Sequence, residues 1–250
     1  MDITAILIAS LVCFIVSTVC VSTGGASLIV VPVLIWLGMV SKEAVATNMF
    51  ALIFLSASGA FGFRKQVKLN HYKMIAIFSI LTVCASLIGA NLVLFIDAEI
   101  LKKVIAVMIF LIAGSFLLKK DLGIHENNDK ISKMRFFIGA LLIFILGIYG
   151  GFFSGGYVTL LSYVLIATFG LNFLQTAFIT KVFNIFSSLA ACVIFYHHGL
   201  IDFSVGLPLA FSSVLGAFMG TKLAITKGNV WVRNLFIIFV IALGIKLIAF

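Results

Sequence analysis

The chain has 250 residues, of which 63% are hydrophobic and 10% charged, and its formal net charge is +9. A soluble domain carries about 25% charged residues, so this composition excludes a water-exposed globular surface and predicts one that faces lipid. The apolar runs are long and unbroken, unlike the alternating pattern of a β-barrel, so we expect an all-α polytopic membrane protein. The basic residues lie between these runs. We therefore interpret the positive charge as the positive-inside pattern of membrane loops and not as a nucleic-acid-binding surface.

Ten apolar segments follow one another, five in each half of the chain. They are 3–22, 26–40, 44–63, 74–96 and 104–118, then 136–153, 157–171, 173–196, 203–221 and 230–250. A helix needs about 20 residues to cross the hydrocarbon core. Two segments, 26–40 and 157–171, are short and each follows a Gly-Gly pair. We expect each to be either a half-helix or the returning arm of a re-entrant hairpin.

The two halves repeat each other in three short motifs. These are Thr23-Gly24-Gly25 with Ser154-Gly155-Gly156, Thr47-Asn48-Met49-Phe50 with Thr180-Lys181-Val182-Phe183, and Ser86-Leu87-Ile88-Gly89-Ala90 with Ser213-Val214-Leu215-Gly216-Ala217. Five segments per half, an odd number, give the second repeat the opposite orientation. We therefore expect a first membrane repeat over 1–118, a cytoplasmic linker over 119–135 and a second, inverted repeat over 136–250.

The basic residues predict the orientation in the membrane. Loops 64–73, 119–135 and 222–233 hold 12 of the 17 Lys and Arg residues of the chain. With these loops in the cytoplasm, both termini lie outside. This result is the same whether a Gly-Gly pair separates two full spans or forms a hairpin. The first residues lack the basic region of a cleavable signal peptide.

Each Gly-Gly pair predicts a break at which a helix restarts inside the membrane. Glycine costs about 1 kcal/mol in a helix interior. A helix that restarts at Ala26 or Tyr157 presents free N-terminal N–H groups, which are a natural seat for an anion. Hydroxyl groups accompany both breaks, on Ser22, Thr23, Ser27, Ser154, Tyr157 and Thr159. The alternative is close helix packing by small residues, as in Gly151-x-x-x-Gly155 and Gly216-x-x-x-Gly220.

Lys181 is the second candidate, because it lies well inside segment 173–196 with Asn184 and Ser188 on the same helical face. A buried ammonium costs at least about 2.5–3.5 kcal/mol on insertion scales. No apolar segment offers a carboxylate partner, so a transported anion is a reasonable counter-charge. Asn48, the repeat mate of Lys181, is expected to add a neutral amide to the same site. The alternative is that the ammonium snorkels to the cytoplasmic interface.

Other kinds of chemistry have little support in the sequence. The four cysteines lie in apolar segments without a Cys-x-x-Cys pair, which favours small buried side chains over a disulfide framework. The adjacent His197 and His198 do not share a helix face, which favours a solvated loop over a metal site. No catalytic grouping or phosphate-binding loop is visible in the sequence. We expect no enzyme activity, no cofactor and no metal.

The first glycine motif is followed by a short apolar piece with Pro32 and Gly38, and then by Ala-Thr-Asn at 46–48. The second half has Gly-Gly-Phe-Phe-Ser-Gly-Gly at 150–156 and Ile-Thr-Lys at 179–181. In this order the motifs resemble the TauE/SafE family of sulfite exporters, across essentially the whole chain. Compared with that family's motif, a third glycine is replaced in both halves, by Ala26 and by Tyr157. We expect the Tyr157 side chain to crowd one side of the site.

The resemblance implies an inner-membrane permease for sulfite or a small organosulfur anion such as sulfoacetate; some relatives carry thiosulfate. We therefore expect a secondary transporter that exports a small sulfur oxyanion by alternating access, with its site near both Gly-Gly pairs, Asn48 and Lys181. Without a membrane carboxylate, any proton travels on the substrate as bisulfite, or the flux follows the gradient. The expected partners are this anion and the bilayer, with no nucleic acid, and a homodimer is left open.

Three other functions stay open from the sequence. The first is a passive anion channel with the same site, and the second is an uptake permease for thiosulfate or another organosulfur anion. The third, from a different class, is a membrane protein that relays electrons through thiols. That function requires at least one of the four cysteines, Cys13, Cys20, Cys84 or Cys192.

Overall fold

The structure is a computed structural model that describes residues 1–66, 72–97, 100 and 132–248. In this part of the chain the regular structure is helical throughout, which confirms the predicted all-α class. The helices are α1 (Ile3–Cys20), α2 (Ser27–Trp36), α3 (Ser41–Phe63), α4 (Tyr72–Phe95), α5 (Lys133–Phe152), α6 (Tyr157–Phe169), α7 (Phe173–His197) and α8 (Phe203–Ile248). A short 3-10 turn, Arg64–Gln66, follows α3. Segment 104–118 and most of the 119–135 linker lie outside the described residues.

Six helical stretches among the described residues are long and apolar enough to cross a membrane. They are Ile3–Cys20, Ser41–Gln66, Tyr72–Phe95, Lys133–Phe152, Phe173–His197 and Phe203–Gly228. At Gly228 the backbone turns with φ 78° and ψ −177°, which separates the sixth stretch from the rest of α8. The helices α2 and α6 have only 10 and 13 residues, about 15 and 20 Å, against a hydrocarbon core of about 30 Å. The two segments predicted to be short are therefore confirmed as short.

Helices α5 and α6 form a hairpin that returns to the side from which α5 begins. Phe136 near the start of α5 and Phe169 at the end of α6 have ring centroids 6.2 Å apart in an edge-to-face contact. Phe78 of α4 packs against both rings, at 5.2 and 5.5 Å. A Cβ on Gly139 would lie 2.5 Å from the Phe169 ring, so the glycine allows the two arms to close. Of the two alternatives for segment 157–171, the structure thus agrees with the returning arm of a re-entrant hairpin.

Helix α2 runs antiparallel to α3. The Asn48 side chain in α3 donates a hydrogen bond of 2.8 Å to the hydroxyl of Ser27, at the start of α2. The last residue of α2, Trp36, lies just before Ser41, the first residue of α3. The chain therefore reverses between these two helices.

Helix α1, in contrast, runs parallel to α3, because both run parallel to α8. Along α1, Cys13 contacts Ser213 at 3.1 Å, and a Cβ on Gly220 would meet Thr18. Along α3, Thr47 lies beside the start of α8, and Ser58 donates a hydrogen bond of 3.1 Å to the carbonyl of Val214. The α1–α2 pair is consequently a hairpin like α5–α6.

Each hairpin packs against the other half of the chain. Helix α1 packs on α8, α5 packs on α4, and α3 and α7 pack on each other at the centre. Glycines make these contacts close: a Cβ on Gly216 would lie 2.4 Å from the carbonyl oxygen of Phe14, and one on Gly89 would lie 1.9 Å from that of Ile148. Two inverted repeats would produce this exchange of partners. The bounds 1–118, 119–135 and 136–250 stay a prediction.

Candidate functional site

The first break lies between α1 and α2, where the sequence predicts it. Gly24 and Gly25 have φ angles of 83° and 85°, in the left-handed region that glycine enters without steric cost. The N–H of Leu28 then donates to the carbonyl of Gly25 at 3.0 Å, which starts α2. Thr23 is fully buried beside this turn. The Gly-Gly pair therefore reverses the chain inside the protein.

The second break uses its residues differently. Here Ser154 and Gly156 adopt the left-handed conformation, with φ angles of 62° and 75°. Gly155 between them supplies space instead: a Cβ there would lie 2.2 Å from the Phe153 ring and 2.9 Å from the side chain of Leu28 in α2. The hydroxyl of Tyr149 donates a hydrogen bond to the carbonyl of Gly155. In the second break only Gly156 is thus required by its φ angle, whereas in the first break both glycines are.

The two breaks touch each other. A Cβ on Gly24 would lie 2.7 Å from the Thr159 hydroxyl oxygen and 2.8 Å from the Thr159 backbone nitrogen. The same hydroxyl donates to the carbonyl of Thr23 at 3.1 Å. The first break therefore packs on the N-terminal turn of α6, while Gly155 of the second packs on α2. A side chain at position 24 would therefore crowd the Thr159 N–H, one of the donors predicted to receive an anion.

Lys181 lies in the interior of the protein, near the first break. Its side chain is 2% exposed, and it is the only charged residue among the buried residues of the described chain. A Cβ on Gly59 of α3 would lie 3.3 and 3.4 Å from the Cγ and Cδ atoms of Lys181, so the lysine stem lies across this glycine. The same Cβ would lie 2.9 Å from Cγ2 of Val21, so the end of α1 packs beside the lysine stem. This enclosure argues against the snorkelling alternative.

Asn184 connects α7 with both α3 and the second break. Its amide donates a hydrogen bond of 2.8 Å to the Ser56 hydroxyl. Its carbonyl oxygen accepts a weaker hydrogen bond of 3.4 Å from the Ser154 hydroxyl. Because Lys181 is next to Gly59 and Asn184 is next to Ser56, α3 and α7 run antiparallel. The predicted common face of Lys181 and Asn184 therefore points toward α3.

Asn48 lies at a different level from Lys181. Gly59, which marks the level of the lysine stem, is eleven residues after Asn48 in α3. At 1.5 Å per residue this separation is about 16 Å along the helix axis. Asn48 instead bonds to Ser27 at the start of α2. The structure therefore does not bring Asn48 and Lys181 into one cluster, because antiparallel helices place repeat mates on opposite sides of their crossing point.

Tyr157 packs against α5. A Cβ on Gly150 would lie between 2.9 and 3.0 Å from three atoms of its ring, and the side chain is fully buried. The glycine at position 150 is what gives the ring its space. The Tyr157 ring thus occupies space between α5 and α6.

Two site residues were missed in the sequence, Ser56 and Gly59. Both belong to the run of small residues Ser56-Ala57-Ser58-Gly59-Ala60 in α3. Such a run indicates close approach of a second helix, and this signal was available. Among the described residues no group of three or more His, Cys, Asp or Glu side chains is placed to hold a metal ion.

Comparison with known proteins agrees with this architecture. The family model described as "Sulfite exporter TauE/SafE" matches residues 9–247. A "Probable membrane transporter protein" from Haemophilus influenzae is 32% identical over 252 residues, which cover 99% of this chain and 97% of that protein. "Probable membrane transporter protein YfcA" from Escherichia coli K12 is 28% identical, over 90% of this chain and 82% of its own. No solved structure matches. The chain belongs to the TauE/SafE sulfite exporter family of membrane transporters.

Proposed function

We propose that this protein exports a small sulfur oxyanion, such as sulfite, across the inner membrane by alternating access. The observation that carries the proposal is the buried side chain of Lys181, which packs against Gly59 of α3 beside the end of α1. A desolvated cation without a buried carboxylate in the described chain favours an anionic ligand. The family and the relatives, described as a sulfite exporter family and as transporters, support the same function.

The arrangement of the hairpins suggests how access would alternate. The two breaks come from opposite halves of the chain and meet through Gly24 and Thr159. A rocking motion of one half against the other would open this contact to one side of the membrane at a time. In the predicted orientation the basic segments 64–73 and 222–233 lie in the cytoplasm and both termini lie outside. Gly59, which contacts the Lys181 stem, then lies nearer the cytoplasmic end of α3 than Asn48 does.

The direct test is the flux of labelled sulfite from proteoliposomes that contain purified protein. Lys181→Met keeps most of the volume of the side chain and removes its charge. A hydrogen bond to a charged group is worth about 1.5–3 kcal/mol, so we expect flux at low sulfite concentration to fall about 10- to 100-fold. Lys227→Met is the matched control, because Lys227 is exposed. Unchanged flux in Lys181→Met, with the control also unchanged, would contradict the site.

The same vesicles separate the alternatives. Saturating flux with counterflow supports a transporter, whereas non-saturating flux without counterflow identifies a passive channel. Thiosulfate and organosulfonates in the same assay identify the preferred anion, and imposing the gradient in each direction distinguishes export from uptake. A variant without cysteines that keeps full flux excludes a thiol relay, and loss of flux in that variant would support it.

A further inference from the structure

A small pocket with basic side chains lies where the end of α3 meets α8. Its volume is about 180 Å³. Arg64, Lys65 and Lys222 line it together with Phe61 and Phe218, and none of its lining residues is acidic. We call this site the basic pocket. Three cations therefore face one cavity, with no acidic side chain beside them among its described lining residues.

The floor of the basic pocket is fixed by close contact of the two helices. A Cβ on Gly62 of α3 would lie 2.2 Å from the Thr221 methyl group of α8. The Thr221 hydroxyl donates to the carbonyl of Ala217 within its own helix, so it adds no free polar group to the cavity. The two helices therefore cannot approach further at this point.

Aromatic rings hold two of the cations in place. The Arg64 guanidinium carbon lies 3.7 Å from the centroid of the Phe61 ring, and its Nη1 donates to the Phe61 carbonyl at 2.7 Å. The Lys222 ammonium lies 4.3 Å from the centroid of the Phe218 ring. Such cation–π contacts orient a charge without neutralising it. The cations are thus preorganised for an external anion.

The basic pocket lies at the ends of two apolar helical stretches. Arg64 directly follows the apolar helix α3, and Lys222 lies near the end of the span Phe203–Gly228. The two rings are exposed on the outside of the protein, 64% for Phe61 and 51% for Phe218. Acyl chains can therefore lie along the rings while the charged group meets the cations at the interface.

The other half of the chain provides an internal comparison. By the repeat correspondence, Arg64 and Lys65 match His197 and His198, and Lys222 matches Phe95. At these matched positions the other half therefore lacks the three lysine and arginine side chains, and Ile194 and Asn91 stand where Phe61 and Phe218 stand here. Because the other half folds without these features, packing alone does not account for the basic pocket.

We propose that the basic pocket binds the phosphate group of an anionic phospholipid such as phosphatidylglycerol. Pockets for drug-sized ligands have about 300–1,000 Å³, whereas a water molecule occupies about 30 Å³ in the liquid. A cavity of 180 Å³ therefore accommodates a phosphate with its glycerol link and leaves the acyl chains in the bilayer. Basic pockets between transmembrane helices on the cytoplasmic side are suited to such headgroups.

The test measures binding of acyl-labelled phosphatidylglycerol to the detergent-purified protein by fluorescence anisotropy. The double variant Arg64→Gln/Lys222→Gln should weaken binding about fivefold for each charge removed. Lys227→Gln is the matched control, since Lys227 is exposed in the same span but does not line the pocket. The charge-conserving variant Arg64→Lys/Lys222→Arg shows whether charge or packing matters, and it should bind within about twofold of the unchanged protein.

Three results would overturn the proposal. One is an equal loss for each charge removed in the double variant and in Lys227→Gln, which would indicate a diffuse charge effect. Another is displacement of the labelled lipid by inorganic phosphate as effectively as by unlabelled phosphatidylglycerol, which would identify a site for free anions. The third is equal displacement by phosphatidylcholine, which would show that the negative charge of the lipid is not recognised. None of these residues belongs to the proposed transport site, so each outcome is independent of sulfite flux.

Discussion

The two breaks reverse the chain in the same way with different residues. The first places Gly24 and Gly25 in the left-handed region, and the second places Ser154 and Gly156 there. Gly155, which aligns with Gly24, is instead needed because Phe153 and Leu28 occupy the space of a side chain. Matched glycines in a repeat therefore share a position in the fold without sharing a physical role.

Substitution of the aligned glycines distinguishes these roles and should give the largest effect. Gly24→Ala adds a left-handed alanine, at about 1–2 kcal/mol, and a clash with the backbone of Thr159, at about 1–3 kcal/mol. Gly155→Ala adds only the packing cost, because Gly155 is outside the left-handed region. The free energy of unfolding in mixed detergent micelles should therefore fall more for Gly24→Ala.

Gly38→Ala controls for backbone strain alone. Gly38 has a φ angle of 98°, and no atom of the residues that the structure describes lies within 4 Å of the position of a Cβ. The free energy of unfolding should fall by about 1–2 kcal/mol in Gly38→Ala, which is less than in Gly24→Ala. Equal losses at Gly24 and Gly38 would contradict the expected clash between a side chain at position 24 and Thr159.

The asparagines beside the two breaks should give a smaller difference. Asn184 makes hydrogen bonds to Ser56 and Ser154, whereas Asn48 makes one to Ser27. Hydrogen bonds between membrane helices average about 0.6 kcal/mol. Asn184→Leu should therefore cost about 1 kcal/mol and Asn48→Leu about half of that, measured by unfolding in mixed micelles.

Asn91→Leu is the reference for these two variants. Asn91 is exposed and, among the described residues, its side chain donates only to the carbonyl of Leu87 in its own helix. Its replacement should leave stability nearly unchanged. If Asn91→Leu is as harmful as Asn184→Leu, the bonds between helices are not the source of the effect.

The smallest expected effect concerns the residues that cap the starts of α7 and α8. Asp202 accepts hydrogen bonds from the Ser204 backbone at 2.9 Å and from its hydroxyl. Partial burial raises the pKa of Asp202, but hydrogen bonds from Ser204 and Val205 outweigh this effect and hold the pKa below its usual value. Asn172 caps α7 with a neutral amide and a reciprocal bond from Gln175, so this cap does not titrate.

The cap at Asp202 should therefore respond to acid. A depressed pKa stabilises the fold above the unfolded value of about 3.9, and this stability is lost as the pH falls through the lower folded value. In thermal unfolding between pH 3 and pH 7, Asp202→Asn should show a weaker loss of stability at low pH than the unchanged protein. Asn172→Ala should lower the melting temperature equally at both ends of this range, and a pH-dependent loss in that variant would contradict the comparison.

Sequence reasoning succeeded where one physical signal dominated. The length of the apolar runs predicts the spans, and the Gly-Gly pairs predict both breaks, because lipid and backbone geometry leave few alternatives. The sequence does not decide whether the chain reverses direction at each break. That reversal depends on contacts between residues distant in sequence, such as Phe136 with Phe169.

Burial of Lys181 was predicted, whereas its level relative to Asn48 was not. That level follows from the antiparallel crossing of α3 and α7, which the repeat pattern does not specify. Likewise, no local signal distinguishes Gly155 from Gly24, because the difference lies in the backbone angles and in the neighbours of each residue.

The separation of Asn48 and Lys181 has an electrical consequence. About 16 Å along α3 is about half of a hydrocarbon core of about 30 Å. An anion that moves from one level to the other therefore crosses about half of the membrane potential, about 1 kcal/mol per charge at 100 mV. With the end of α3 in the cytoplasm, as predicted, an interior-negative potential drives this movement outward, so the voltage across the membrane would itself favour export.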